Sequence, residues 1–125
     1  MEETLVTIKT AKLAKEKGFN IEVNAFYNTY TALTKHGKHE NVSFKDWNNY
    51  DEPIGKRGKC YTSAPSQSIL QKWLREVHNI VVLPWYNLEK NTWEIHIPNI
   101  YYKSDFKEFE EALEIGLQEA LKLIK

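Results

Sequence analysis

The sequence predicts an α+β domain, an antiparallel sheet with its helices mainly on one face. Helical apolar stripes open, interrupt and close the chain, and between them lie runs of period two. The predicted order is α, β, a long irregular stretch, α, β, β, α, which is not the strict βαβ alternation of a parallel sheet. The last two strands are joined by a five-residue, turn-rich connection, which makes them an antiparallel hairpin.

The first helix is predicted over residues 8–17. Thr7 is suited to the N-cap, and Ala11 and Ala14 lie inside the helix. Gly18 falls where a left-handed residue is wanted, Phe19 follows as its hydrophobic contact, and Lys15 and Lys17 complement the negative helix end. Over residues 19–27 the odd positions read Phe, Ile, Val, Ala, Tyr and the even ones Asn, Glu, Asn, Phe, predicting a half-buried strand that extends toward Tyr30 and Leu33.

Residues 34–60 hold Gly37, Pro53, Gly55 and Gly58 with no sustained period, and connections of this length are often mobile or functional. Phe44, Trp47 and Tyr50 recur at i, i+3, i+6, the spacing of one helical turn, and a short strand is expected to end at Cys60 and Tyr61.

In the middle helix Ser63 is the expected cap, and Pro65 suits the first turn, where a missing N–H costs nothing. Ile69, Leu70, Trp73, Leu74 and Val77 make its stripe, Gln71, Lys72, Arg75 and Glu76 face solvent, and Asn79 is the expected stop. A strand over 80–86, a turn over 87–91 and a strand over 92–97 follow. In the latter Trp93, Ile95 and Ile97 point inward, Glu94 and His96 point outward, and Pro98 ends the run. Ile100, Tyr101 and Tyr102 read as a further short strand or as the approach to the last helix.

For that helix Ser104 or Asp105 is the expected cap, with Asp105 and Glu108 spaced as a capping box. Its stripe is Phe106, Phe109, Leu113, Gly116, Leu117, Ala120, Leu121 and Ile124. Glu110, Glu111, Glu114, Gln118 and Lys122 take the other face. Gly116 on the apolar side implies close approach to a strand, because glycine inside a helix otherwise costs about 1 kcal/mol.

Length and charge narrow the function. At 125 residues the chain is expected to form one domain over 1–125. Lys+Arg and Asp+Glu both number 17, and a zero balance argues against a protein that coats nucleic acid. The zero is a cancellation: residues 1–60 carry ten basic and eight acidic side chains, residues 61–125 seven and nine. Aromatics are 13%, an unusual share. A lone cysteine, an acidic start (Met1-Glu2-Glu3-Thr4) and no long apolar run lead to the expectation of a cytoplasmic protein with no membrane partner.

Three segments, residues 10–19 (TAKLAKEKGF), 62–80 (TSAPSQSILQKWLREVHNI) and 111–124 (EALEIGLQEALKLI), cover about a third of the chain. In them it resembles a group of small proteins encoded by bacteriophages and prophages, the central segment being the most specific. The resemblance implies a phage or mobile-element origin and carries no catalytic residue onto this chain.

Few side chains suggest chemistry. His36 and His39 form an H-x-x-H pair, and Cys60 would be a third ligand, but a structural zinc site needs four and the neighbouring lysines repel a cation. Cys60 follows Lys56, Arg57 and Lys59, which would lower a thiol pKa, yet it reads more simply as a small residue in a strand. The 55–59 run Gly-Lys-Arg-Gly-Lys offers cations and flexible N–H groups to a phosphate but lacks P-loop spacing. Tyr27, Tyr30, Trp47 and Tyr50, interleaved with Asn and Lys, suit base stacking or a protein anchor, or else pin the long loop.

The expectation is therefore a non-enzymatic accessory protein that binds another protein or a second copy of itself, with no cofactor. The alternatives are a nucleic-acid binder using Lys56, Arg57, Lys59, Lys72 and Arg75, and a small-ligand binder or enzyme using Cys60 or a histidine.

Overall fold

The structure is a computed structural model, described here for residues 4–23, 25–28, 35–38 and 61–125. It contains α1 (Ile8–Glu16), β1 (Ala25–Asn28), β2 (Lys35–Lys38), β3 (Tyr61–Ser63), α2 (Gln67–His78), β4 (Leu83–Asn87), β5 (Thr92–Ile97), β6 (Tyr101–Phe106) and α3 (Phe109–Lys122). The class is α+β, and the strands form two antiparallel three-stranded sheets, ordered β2-β1-β3 and β4-β5-β6. The chain divides into two compact units, one of residues 5–65 and one of residues 1–4 with 66–125.

In the first unit α1 begins where Thr7 accepts a hydrogen bond from the Thr10 N–H at 3.4 Å. It ends in a Schellman motif: Gly18 has φ +89°, its N–H donates to Lys15 O at 3.2 Å, and the Phe19 N–H donates to Ala14 O at 3.0 Å. Phe19 is buried, with Val6, Ala11, Ala14, Val23, Ala25, Phe26 and Ala64. The strand predicted over 19–27 is shorter than expected. Among the described residues of this stretch the strand is Ala25–Asn28, because Gly18 and Phe19 are committed to closing the helix and Ile21 faces solvent; the expected extension to Tyr30 and Leu33 lies outside the described residues. β1 pairs with β2 (Phe26↔Gly37) and with β3 (Phe26↔Ser63).

In the second unit α2 is capped by Ser66, whose hydroxyl accepts from the Ile69 N–H at 3.2 Å. The expected cap, Ser63, is instead the last residue of β3, taken up by pairing with β1. Asn79 ends the helix at φ +58°, and the Ile80 N–H returns to Leu74 O at 3.0 Å. Leu70, Trp73 and Leu74 are buried, whereas Val77, expected in the stripe, is 60% exposed. Gln67 and Gln71 tie the helix down: Gln67 Nε2 donates to Glu110 O and Glu114 Oε1, both at 2.9 Å, and Gln71 Nε2 donates to Val82 O at 2.7 Å.

α3 covers one face of the β4-β5-β6 sheet. Ala112, Leu113, Gly116, Leu117, Ala120 and Leu121 are buried along it, each leucine contributing about 1.5–3 kcal/mol. Gly116 is the close approach expected: a Cβ there would overlap Ile95 Cγ1 and lie 2.8 Å from Val82 Cγ1. The Phe109 ring meets Trp93 edge-on at 5.1 Å. Gln118, expected on the solvated face, is buried. Burial and the Glu119 carboxylate raise the Tyr101 phenol above its ordinary range.

The start of α3 differs from expectation. Ser104, Asp105 and Phe106 belong to β6, and the N-cap is Glu108, which makes no side-chain capping bond. The register explains it: Ile95 faces Lys103 and Trp93 faces Phe106, three steps along β6 against two along β5. The extra residue is a β-bulge, with Asp105 in the left-handed region at φ +71°. The bulge turns Phe106 onto the helix-covered face, where it is buried.

Candidate functional site

The uncovered face of the β4-β5-β6 sheet follows from register, since directly opposed residues in an antiparallel pair share a face. Ile95 and Trp93 point to α3, so their partners Pro84, Tyr86, Lys103 and Phe106 do too. The opposite face carries Leu83, Trp85 and Asn87 from β4, Thr92, Glu94 and His96 from β5, and Tyr102 from β6. One row reads Leu83, His96, Tyr102, and the next reads Trp85, Glu94.

This face is apolar at its margins and polar at its centre. Trp85 is 63% exposed, Tyr102 55% and Leu83 43%. Between them Glu94 is 9% exposed, although its place in the alternation predicts a solvated side chain. Asn87 Nδ2 donates to Glu94 Oε2 at 2.9 Å, and His96 Nε2 lies 3.4 Å from Glu94 Oε1. The His96 ring is tilted against Tyr102, with centroids 4.7 Å apart. The Asn87 amide holds the Glu94 carboxyl below the usual carboxylate range, burial opposes it, and hydrogen bonds from His96 and Tyr102 add to the lowering.

Asn87 owes its position to the turn that follows it. Its Oδ1 accepts from the N–H groups of Glu89 at 3.0 Å and Lys90 at 3.1 Å, which leaves Nδ2 for Glu94. Asn91 closes that turn at φ +55°. At the other end of β5, Pro98 and the left-handed Asn99 form a type II turn, with the Ile100 N–H donating to Ile97 O at 2.9 Å. The two tight turns hold the three strands in one register.

Of the binding residues singled out from the sequence, Tyr27, Lys72 and Arg75 are among the described residues, and none of the three belongs to β4, β5 or β6. Tyr27, in β1, is half-buried and its hydroxyl donates to Val6 O at 2.8 Å, which ties the strand to the segment before α1. Lys72 and Arg75 are exposed on α2, one turn apart. Tyr30, Trp47, Tyr50, Lys56, Arg57, Lys59, His39 and Cys60 lie outside the described residues, and for His36 only the backbone is described. Among the described residues no three His, Cys, Asp or Glu side chains are grouped as a metal would need. Among them, too, no helix is long and apolar enough to cross a membrane.

Sequence reading missed Trp85 and Leu83 because both lie in an apolar run over 80–86 that reads as core throughout. The usable signal was their spacing of two, which sets them opposite the outward-facing Glu94 and His96. No family model, curated protein or solved structure matches the chain.

Proposed function

We propose that this chain is a non-enzymatic accessory protein of a phage or mobile element that acts by binding a protein partner, and that the uncovered face of the β4-β5-β6 sheet is its binding surface. One observation carries the reading: Leu83, Trp85 and Tyr102 stay exposed on one face of a three-stranded sheet whose other face is covered by α3. Exposed aromatics on a preformed surface are what protein interfaces use as anchors, since they bring large contact area at low entropic cost. The register also favours a protein over a nucleic acid. Among the described residues the face carries no lysine or arginine to meet a phosphate. The phage or mobile-element origin rests on the resemblance in residues 10–19, 62–80 and 111–124.

Affinity capture with the wild type and with a Trp85→Ala/Tyr102→Ala double variant, from infected and uninfected host cells, tests the reading. The expected result is a protein enriched by the wild type and lost with the double variant. Enrichment that is identical for the two baits, or enrichment of nothing by either, would refute it.

A further inference from the structure

The polar centre of the face has a chemistry of its own. The Glu94 side chain is 12% exposed, a carboxylate flanked by its neighbours on an open sheet face, where a counter-charge is favourable. Asn87 supplies one bond to Oε2, Tyr102 donates to the same carboxylate, and His96, which carries charge only when protonated, lies at a long 3.4 Å from Oε1. An ionised carboxylate has about four acceptor positions, so capacity remains. Among the described residues no lysine or arginine is paired with it. Beside it stands Trp85, its direct cross-strand neighbour and the most exposed aromatic of the face, with Tyr102 on the far side of His96.

We infer that the face is a receptor for an arginine side chain of the protein partner, the guanidinium lying on the Trp85 indole and donating to the Glu94 carboxylate. This deepens the protein-binding reading and rests on it. The charge is complementary: among the described residues one carboxylate stands at the centre of a face that carries no lysine or arginine, with His96 the one neighbour there able to take a positive charge. The shape is complementary too, because a planar guanidinium stacks on an aromatic ring and bonds a carboxylate through its edge at the same time. A lysine ammonium is a point charge and makes one of these contacts well, not both. A neutral sugar would stack on Trp85 but would leave the carboxylate without a counter-charge.

The test titrates the full chain, labelled with nitrogen-15, with the blocked peptide acetyl-Gly-Arg-Gly-amide at low salt. The same peptide with citrulline in place of arginine, the lysine peptide and the disaccharide maltose are titrated in parallel. Trp85→Phe assigns the Trp85 indole N–H resonance. The expected result is a saturable shift of that resonance with the arginine peptide, weaker by about tenfold or more with citrulline, as loss of a charge-assisted hydrogen bond implies. Added salt reduces the shift, and Glu94→Gln abolishes it.

Equal shifts with arginine and citrulline, a shift with maltose alone, no shift with any probe, or a shift unchanged in Glu94→Gln would each overturn the inference. The arginine–citrulline comparison uses the wild type, so it stands even if Glu94→Gln does not fold. The captured partner separates the two readings. Capture that needs Trp85 but tolerates Glu94→Gln leaves protein binding standing and removes the arginine. Capture indifferent to Trp85 and Tyr102 removes both.

Discussion

Replacing Gly116 by alanine is expected to destabilise the protein by about 2 kcal/mol, although alanine is the better helix former. In an exposed helix the change gains about 1 kcal/mol. Here the new methyl would overlap Ile95 Cγ1 and lie 2.8 Å from Val82 Cγ1 and 2.9 Å from Ile95 Cδ1. Both neighbours are β-branched and buried, Ile95 at 0% and Val82 at 1% exposed, so neither swings aside at low cost. Overpacking of a filled core costs roughly 1–3 kcal/mol, and three such contacts put this site at or beyond the upper end. The net loss corresponds to a Tm drop of roughly 10 °C.

Urea unfolding followed by far-ultraviolet circular dichroism measures the loss. A cycle with Ile95→Ala isolates its cause. Ile95→Ala alone costs about 2–5 kcal/mol, but with that side chain truncated Gly116→Ala is expected to lose most of its cost, since of the three close contacts only that with Val82 Cγ1 at 2.8 Å remains. A Gly116→Ala protein as stable as the wild type, or a cost that persists undiminished in the Ile95→Ala background, would refute the account of α3 packing.

Ser66→Ala is expected to cost about 1 kcal/mol by removing the cap of α2, read from the urea midpoint. Gln67→Ala is expected to cost about 1–2 kcal/mol in the same assay, because it strips two hydrogen bonds that join the start of α2 to α3. Thr92→Val is expected to raise stability by up to about 1 kcal/mol, since the Thr92 hydroxyl is buried without a hydrogen-bond partner and valine keeps its shape. Glu94 titrates below the usual carboxylate range, so its contribution is full above the unfolded value near ~4.3 and is lost as pH falls through the lower folded value. Urea midpoints between pH 2 and pH 6 should therefore fall on acidification, and the fall should be shallower in Glu94→Gln.

The sequence made local features legible and left non-local choices open. Thr7, Gly18 and Asn79 mark helix ends by their own conformational preferences, and they end helices in the structure. Gly116 was readable because a glycine on an apolar stripe sacrifices both helix propensity and buried area, a loss that close packing against a strand offsets. Ser63 and Ser66 are equally good caps locally, and what separates them is the pairing of Ser63 with Phe26, 37 positions away. Asp105 and Glu108 spell a capping box, yet pairing with β5 draws Asp105 into a bulge. The uncovered sheet face was hidden for the same reason: only the register tells Leu83 and Trp85 from Pro84 and Tyr86. The candidates at residues 30–60 fall outside the described residues, so the face at Trp85 and Glu94 stands beside them rather than in their place.

Pro84 lies within β4, at one margin of the β4-β5-β6 sheet, and the bulge at Asp105 beside Lys103 lies at the other. A proline cannot donate to an incoming strand, and a bulge flanked by charge presents no straight template for one. Both borders of the sheet therefore resist growth by strand addition, the route by which exposed sheets seed fibres. Such borders disfavour lateral zippering of a sheet that leaves a tryptophan and a tyrosine in the open. The proposed recognition would then run perpendicular to the sheet, through side chains alone, with no need for an extended partner.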